Sequence, residues 1–161
     1  MPVLSAEDEA FLEEAGRKAF DYFRGERDKK TGLVYDRASN FRRGKHSAFA
    51  SIAATGFALA AYGIGAERGW VSRGEARALA LKTLKFAWEE GAHERGIFYH
   101  FLDPETGKRS ARSEASCLDT ALFLAGALFA AHYFDDKKIK NLADRLYERA
   151  DFAWMLNGGK T

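Results

Sequence analysis

The chain has 161 residues, a net charge of +2 and a single cysteine, and 47% of its residues are hydrophobic. That apolar content excludes disorder, the near-balanced charge gives no case for a nucleic-acid or acidic-lipid partner, and Cys117 alone excludes an internal disulfide or an all-cysteine metal site. Met1 to Glu14 carries an acidic cluster where a secretory leader needs a basic start and an apolar run, and no apolar run reads as long enough to span a membrane. A cytoplasmic location is expected for the chain as written, and a periplasmic or secreted one if a leader has been removed.

Five helices are predicted, and their faces alternate in character. The first, Ala6 to Arg24, follows Ser5 as N-cap with Asp8 three residues on, and aligns Leu12, Ala15, Ala19 and Phe23 on one stripe. The second, Ser47 to Gly65, is apolar on every side, which requires protein all round it. The third starts at Ser72 with Glu75 completing a capping box, and repeats Ala76, Leu79, Ala80, Thr83, Leu84 and Ala87. The fourth, Cys117 to Tyr133, is again apolar all round, with Phe123, Phe129 and Tyr133 expected in the core. The fifth places Ile139, Leu142, Ala143, Leu146, Tyr147, Ala150 and Trp154 at helical spacing. Thr55 in TGFALAA is echoed by Thr120 in TALFLAG, which suggests a repeated helical hairpin with one outer and one inner member.

The connections are unequal. Short turns lead outward, at Ala66 to Val71 and Phe134 to Asp136, whereas long segments lead inward, at Gly25 to His46 and Gly91 to Ser116. Loops of that length in a compact domain usually carry function, and both must lie at the end where the inner helices begin. The first contains Thr31-Gly32-Leu33-Val34-Tyr35-Asp36-Arg37. The second contains a strand-like Gly96 to Phe101, a turn at Asp103 to Gly107, and then Arg112-Ser113-Glu114-Ala115-Ser116-Cys117-Leu118-Asp119 entering the fourth helix.

Within these loops several residues have two readings. Glu114 is either a solvated loop acid or a carboxylate aimed at a cleft. Asp119 falls at the third position of a helix capped by Ser116, where it receives backbone hydrogen bonds and stays ionised, so it caps the helix or serves as a base or acceptor. Asp36 and Arg37 form a loop-fixing ion pair or reach a ligand, and His100 is a ligand contact or a hydrogen-bonded, part-buried histidine. No metal ligand set is read: Asp135-Asp136 lacks a spaced third acid, and His46, His93, His100 and His132 fall at no ligand spacing. Gly63, Gly65 and Gly69 mark a helix end rather than a phosphate loop, so no cofactor is expected. Arg42, Arg43, Lys45 and His46 read as a solvated cluster.

GLVYDR, SIAATGFALAAYGIGAERGWVSRGEA, GIFYHFLDPETG, SEASCLDTALFLAGALFAAHYF and LYERADFAWML, taken in order from Phe20 to Leu156, resemble the bacterial glucoamylase-like family, which includes endo-β-1,2-glucanases and domains of cyclic β-1,2-glucan synthases. The resemblance implies an all-α fold, part of an (α/α)6 toroid, and an activity that cleaves β-linked glucans, with the sugar cleft at the inward loops. It places Glu114 in that cleft as the candidate catalytic acid or base, and implies sugar contacts from Tyr35, Asp36, Arg37, Tyr99, His100 and Asp119, the two tyrosines by stacking. Many similar chains carry an aspartate three residues before the glutamate, where Ala111 stands here.

Six hairpins at the observed repeat of about 65 residues need about 390 residues. Residues 1–161 are therefore expected to form an incomplete toroid, the N-terminal portion of a longer domain, with self-association or a missing C-terminal half covering its apolar surface. An oligo- or polysaccharide is the expected partner, with no nucleic acid and no membrane. The alternative is a non-catalytic helical-hairpin module that binds sugar or a partner protein.

Overall fold

The computed structural model describes residues 4–42, 44–156 and 158, so Arg43 of the basic loop cluster lies outside the described residues. Five helices carry the fold: α1 (Ala6–Gly25), α2 (Ile52–Glu67), α3 (Arg73–Glu89), α4 (Cys117–Phe134) and α5 (Lys137–Arg149). Four two-residue strands lie in the inward loops: β1 (Ala50–Ser51), β2 (His93–Glu94), β3 (Ile97–Phe98) and β4 (Phe101–Leu102). β1 pairs antiparallel with β4, and β2 with β3.

Each helix start has a side-chain cap. Ser5 and Asp8 form a reciprocal capping box on α1, and Ser51, Ser72, Ser116 and Asp136 accept backbone N–H groups at the starts of α2 to α5. At α3 only half of the expected box forms. The Glu75 carboxylate turns instead to Arg24 of α1, 2.9 Å away, and ties the two outer helices together. The second helix begins at Ile52 rather than Ser47, because Ala50 and Ser51 are extended and paired to β4. The fifth ends at Arg149, short of Trp154. Ala150 is extended, and the Asp151 N–H donates to the Arg95 carbonyl at 3.0 Å, so a long-range bond overrides the helical periodicity.

α2 and α4 lie side by side and parallel, joined through glycines. A Cβ on Gly126 would stand 2.0 Å from the Gly56 carbonyl oxygen, and one on Gly56 2.4 Å from the Phe123 Cα. Only bare backbone fits this crossing, so both glycines are fixed by close approach. α1, α3 and α5 pack outside this pair, and the core runs through Phe20, Leu59, Tyr62, Leu84, Phe98, Phe123, Ile139 and Leu146.

Several sequence expectations on burial change. The stripe on α1 turns on Phe20, which is buried, while Leu12 is exposed; on α5 Tyr147 is exposed. Nor are α2 and α4 enclosed all round, since Phe57 and Ile64 of α2 and Leu118, Leu128 and Phe129 of α4 are exposed and leave one apolar stripe open on each helix. By length and composition α4 does reach what a membrane crossing needs, contrary to the expectation that no run would; here it packs along α2 and α5.

The echo between Thr55 and Thr120 is a structural repeat. The Thr55 hydroxyl accepts the Val34 N–H at 3.1 Å, and the Thr120 hydroxyl accepts the Phe98 N–H at 2.9 Å. The Ser51 N–H donates to the Val34 carbonyl, and the Ser116 N–H donates to the Phe98 carbonyl. Each inner helix thus receives its entry loop in the same way, through a GxxY segment that starts at a left-handed glycine, Gly32 (φ +83°) or Gly96 (φ +82°).

Candidate active site at the loop end of the inner helices

The two long loops meet where α2 and α4 begin. The Thr31 hydroxyl donates to the Pro104 carbonyl at 2.7 Å, and the Ile52 N–H donates to the His100 carbonyl at 3.1 Å. The loops therefore form one continuous end surface.

In the second loop the bridge between Tyr99 and Ala115, and the His100 N–H donating to the Glu114 carbonyl at 3.0 Å, lay residues 99–100 beside 114–115. This backbone pairing brings three predicted residues together. His100 Nδ1 is 3.2 Å from Glu114 Oε1, and His100 Nε2 is 3.9 Å from Asp119 Oδ1. The His100 ring stacks on Phe101 with centroids 3.8 Å apart, which fixes its plane. Asp119 accepts the Ser116 hydroxyl through Oδ2 and gives its own N–H to Ser116 Oγ at 3.2 Å, so Ser116 is the cap of α4, the backbone hydrogen bonds expected at the Asp119 carboxylate do not form among the described residues, and Oδ1 is left turned to His100.

The Glu114 carboxyl is held below the usual carboxylate range chiefly by its own backbone N–H, which outweighs the opposing desolvation, with the His100 hydrogen bond adding to the lowering. It is exposed. An ionised carboxylate accepts protons, so unliganded Glu114 is poised as a base, nucleophile or hydrogen-bond acceptor, and protonating a leaving oxygen would require burial to raise its pKa.

The remaining predicted residues lie apart from this cluster in their contacts. Tyr35 stacks on His46 with centroids 3.5 Å apart, so one face of its ring is already covered. Asp36 accepts Arg37 Nε at 2.8 Å, an ion pair between neighbours on the first loop. Tyr99 lies under the Arg109 guanidinium, 4.6 Å from its ring centroid. Arg109 was not singled out from sequence; its Nε donates to the Ser113 carbonyl at 2.6 Å, and its charge also favours the ionised form of Glu114. A cation–π partner 10 residues from its ring leaves no local signature in sequence. Ala111 is left-handed at φ +52°, as is Arg112 after it.

No protein-family model matches the chain. Among curated proteins it is similar to the exo-β-1,2-glucooligosaccharide sophorohydrolase (non-reducing end) of Parabacteroides distasonis, 27% identical over 157 residues, spanning 91% of this chain and 21% of that protein. Among solved structures, the endo-β-1,2-glucanase of Chitinophaga pinensis in complex with sophorotriose and glucose matches 97% of this chain and 39% of its own, with 24% identity and a TM-score of 0.80. A β-1,2-glucanase of Parabacteroides distasonis matches 95% of this chain and 22% of its own, with 26% identity and a TM-score of 0.78. The fold is thus that of part of a glucoamylase-like helical toroid, and the chain spans between about a fifth and two-fifths of the length of these relatives.

Proposed function

We propose that this chain contributes the loop-end surface of a β-glucan hydrolase, with a β-1,2-linked gluco-oligosaccharide as ligand and Glu114 as the reacting carboxylate. One observation carries the assignment: the fold shared with β-1,2-glucanases delivers Glu114, on its own backbone pairing with His100, to the mouth of the inner helices. The repeat supports it. In the first hairpin the same scaffold carries Phe49 and Ala54 where the second carries Glu114 and Asp119, so these acids are not needed to build the entry loop.

Glu114 acts from its ionised state, and His100 holds its carboxylate in place through Nδ1. The imidazole is held in plane against Phe101, and Asp119, bound to Ser116, faces its Nε2 at 3.9 Å. Tyr99, Tyr35, Asp36 and Arg37 lie along the two loops as contacts for sugar rings and hydroxyls. In a hydrolase Glu114→Gln lowers turnover of a β-1,2-glucan by at least about a hundredfold with a small change in KM, because the amide keeps the shape and loses the proton transfer. Near-normal release of reducing sugar by that variant removes Glu114 from the reaction.

A second reading rests on the same geometry. Both carboxylates are arranged as acceptors, and Ala111 adds no third acid, which suits a sugar-binding surface without catalysis. Calorimetric binding of a β-1,2-gluco-oligosaccharide with no reducing sugar released selects this reading over the first.

A further inference from the structure

We propose that this chain assembles head to tail with further copies of itself, the free stripe of α4 in one copy packing against the free stripe of α2 in the next. The internal repeat carries the argument. It lays Ser51 on Ser116 and Thr55 on Thr120. The same offset lays Gly56 on Ala121 and Gly63 on Leu128, and lays Phe57, Ala61 and Ile64 on Leu122, Gly126 and Phe129. Within the chain α2 meets α4 through Gly56 and Gly63: a Cβ on Gly56 would press on the backbone of Leu122 and Phe123, and one on Gly63 would stand 2.7 Å from the Phe129 ring. α4 answers with Leu122, Gly126 and Phe129.

Each free stripe is the repeat counterpart of one side of that contact. On α4, Ala121 and Leu128, the counterparts of Gly56 and Gly63, are exposed, with Leu118 and Ala125 on the same face. On α2, Phe57 and Ile64, the counterparts of Leu122 and Phe129, are 52% and 49% exposed. α4 thus turns outward the face by which α2 holds α4, and α2 turns outward the face by which α4 receives it. None of these side chains is charged, and apolar stripes of this kind mark interaction surfaces. The α2 stripe opens into a groove of about 300 Å3 walled by Phe23, Phe57, Ile64 and Trp70, which receives Leu128 of the next copy. Between copies the crossing is wider than within one, since Ala61 and Ala121 stand where Gly126 and Gly56 touch, and side chains replace bare backbone. Because the two faces differ, the contact is heterologous and continues until a ring closes; with two inner helices per copy, the six-membered inner ring of a toroid closes at three copies. α2 and α4 are parallel, so every copy presents its loops at the same end and the Glu114 surface stays open to sugar.

Sedimentation velocity of the purified chain, with light scattering as a second measure of mass, tests this. The expected result is a rise from one copy to three as concentration increases from about 1 to about 100 µM. Ile64→Lys closes the α2 face and Leu128→Lys the α4 face. Each variant alone should stay at one copy, and an equimolar mixture should form a one-to-one pair, because each keeps the face that the other has lost. Both positions are exposed, and circular dichroism should show unchanged helix content; Ala121→Lys takes the place of Leu128→Lys if that variant fails to fold. A chain that stays at one copy at about 100 µM overturns the proposal and leaves both stripes to helices of a different protein. A variant that still pairs with itself, or two variants that stay single when mixed, also overturns it. The readout is mass in the absence of sugar, so this assembly stands or falls separately from the glucan assignment.

Discussion

The two entry loops share one frame and diverge in what they carry. Both start at a left-handed glycine, both give a backbone N–H to a buried threonine of the inner helix, and both hand over to that helix through an Ala-Ser pair. After the shared tyrosine the first continues with Asp36 and the second with His100; before the shared Ala-Ser the first has Phe49 and the second Glu114. The difference separates scaffold from site: whatever recurs holds the loop, and whatever appears once is free to serve a ligand.

The sharpest way to break this comparison is at the glycines. Gly32→Ala and Gly96→Ala both force an L-residue into positive φ, but the added carbon meets the Thr83 hydroxyl at 2.2 Å in the first and the Arg149 carbonyl oxygen at 2.1 Å, with its carbon at 2.5 Å, in the second. A side chain can turn and a backbone cannot, so urea denaturation should show a loss of about 3 kcal/mol or more for Gly96→Ala and a smaller one for Gly32→Ala. Equal costs would mean that the left-handed strain dominates in both loops.

Next in size are the threonines. Thr55→Val and Thr120→Val each leave one buried N–H unpaired and should each lose about 1–3 kcal/mol by chemical denaturation. A difference above about 1 kcal/mol between them would show that the two frames are not equivalent. Smaller and opposite in sign is Ala111→Gly, which relieves a left-handed alanine and should raise stability by about 1 kcal/mol in the same assay.

The smallest effect at neutral pH belongs to Tyr62, whose buried hydroxyl has no hydrogen-bond partner among the described residues and whose pKa burial pushes up to about 12. Because the folded value lies above the unfolded one near 10, stability is fully present below pH 10 and falls as pH rises towards 12. Tyr62→Phe should change stability by less than about 1 kcal/mol at pH 7 and flatten that alkaline fall in a pH series of thermal melts.

Much of the scaffold was legible because its signals are local. The caps at Ser5, Ser72 and Ser116, the apolar character of α2 and α4, and the threonine echo are properties of a few adjacent residues. Features that depend on distant pairing were misread: the helix start at Ile52 is set by β4, and the end of α5 by Arg95. The site divides along the same line. Glu114 and Asp119 could be picked out beside a helix start, but nothing near His100 in sequence says that its two nitrogens face those two acids. That meeting depends on Tyr99 bridging Ala115 across the second loop.

The glycine crossing of α2 and α4 acts as a fulcrum. With backbone pressed on backbone at Gly56 and Gly126, neither helix has a compressible layer through which to rock against the other. A wedge of even one carbon there levers the two helix starts apart, and the displacement is delivered to the loops they carry. The spacing between the Tyr35 loop and the His100–Glu114 cluster is therefore set from within the molecule, by a joint that contains no side chain at all.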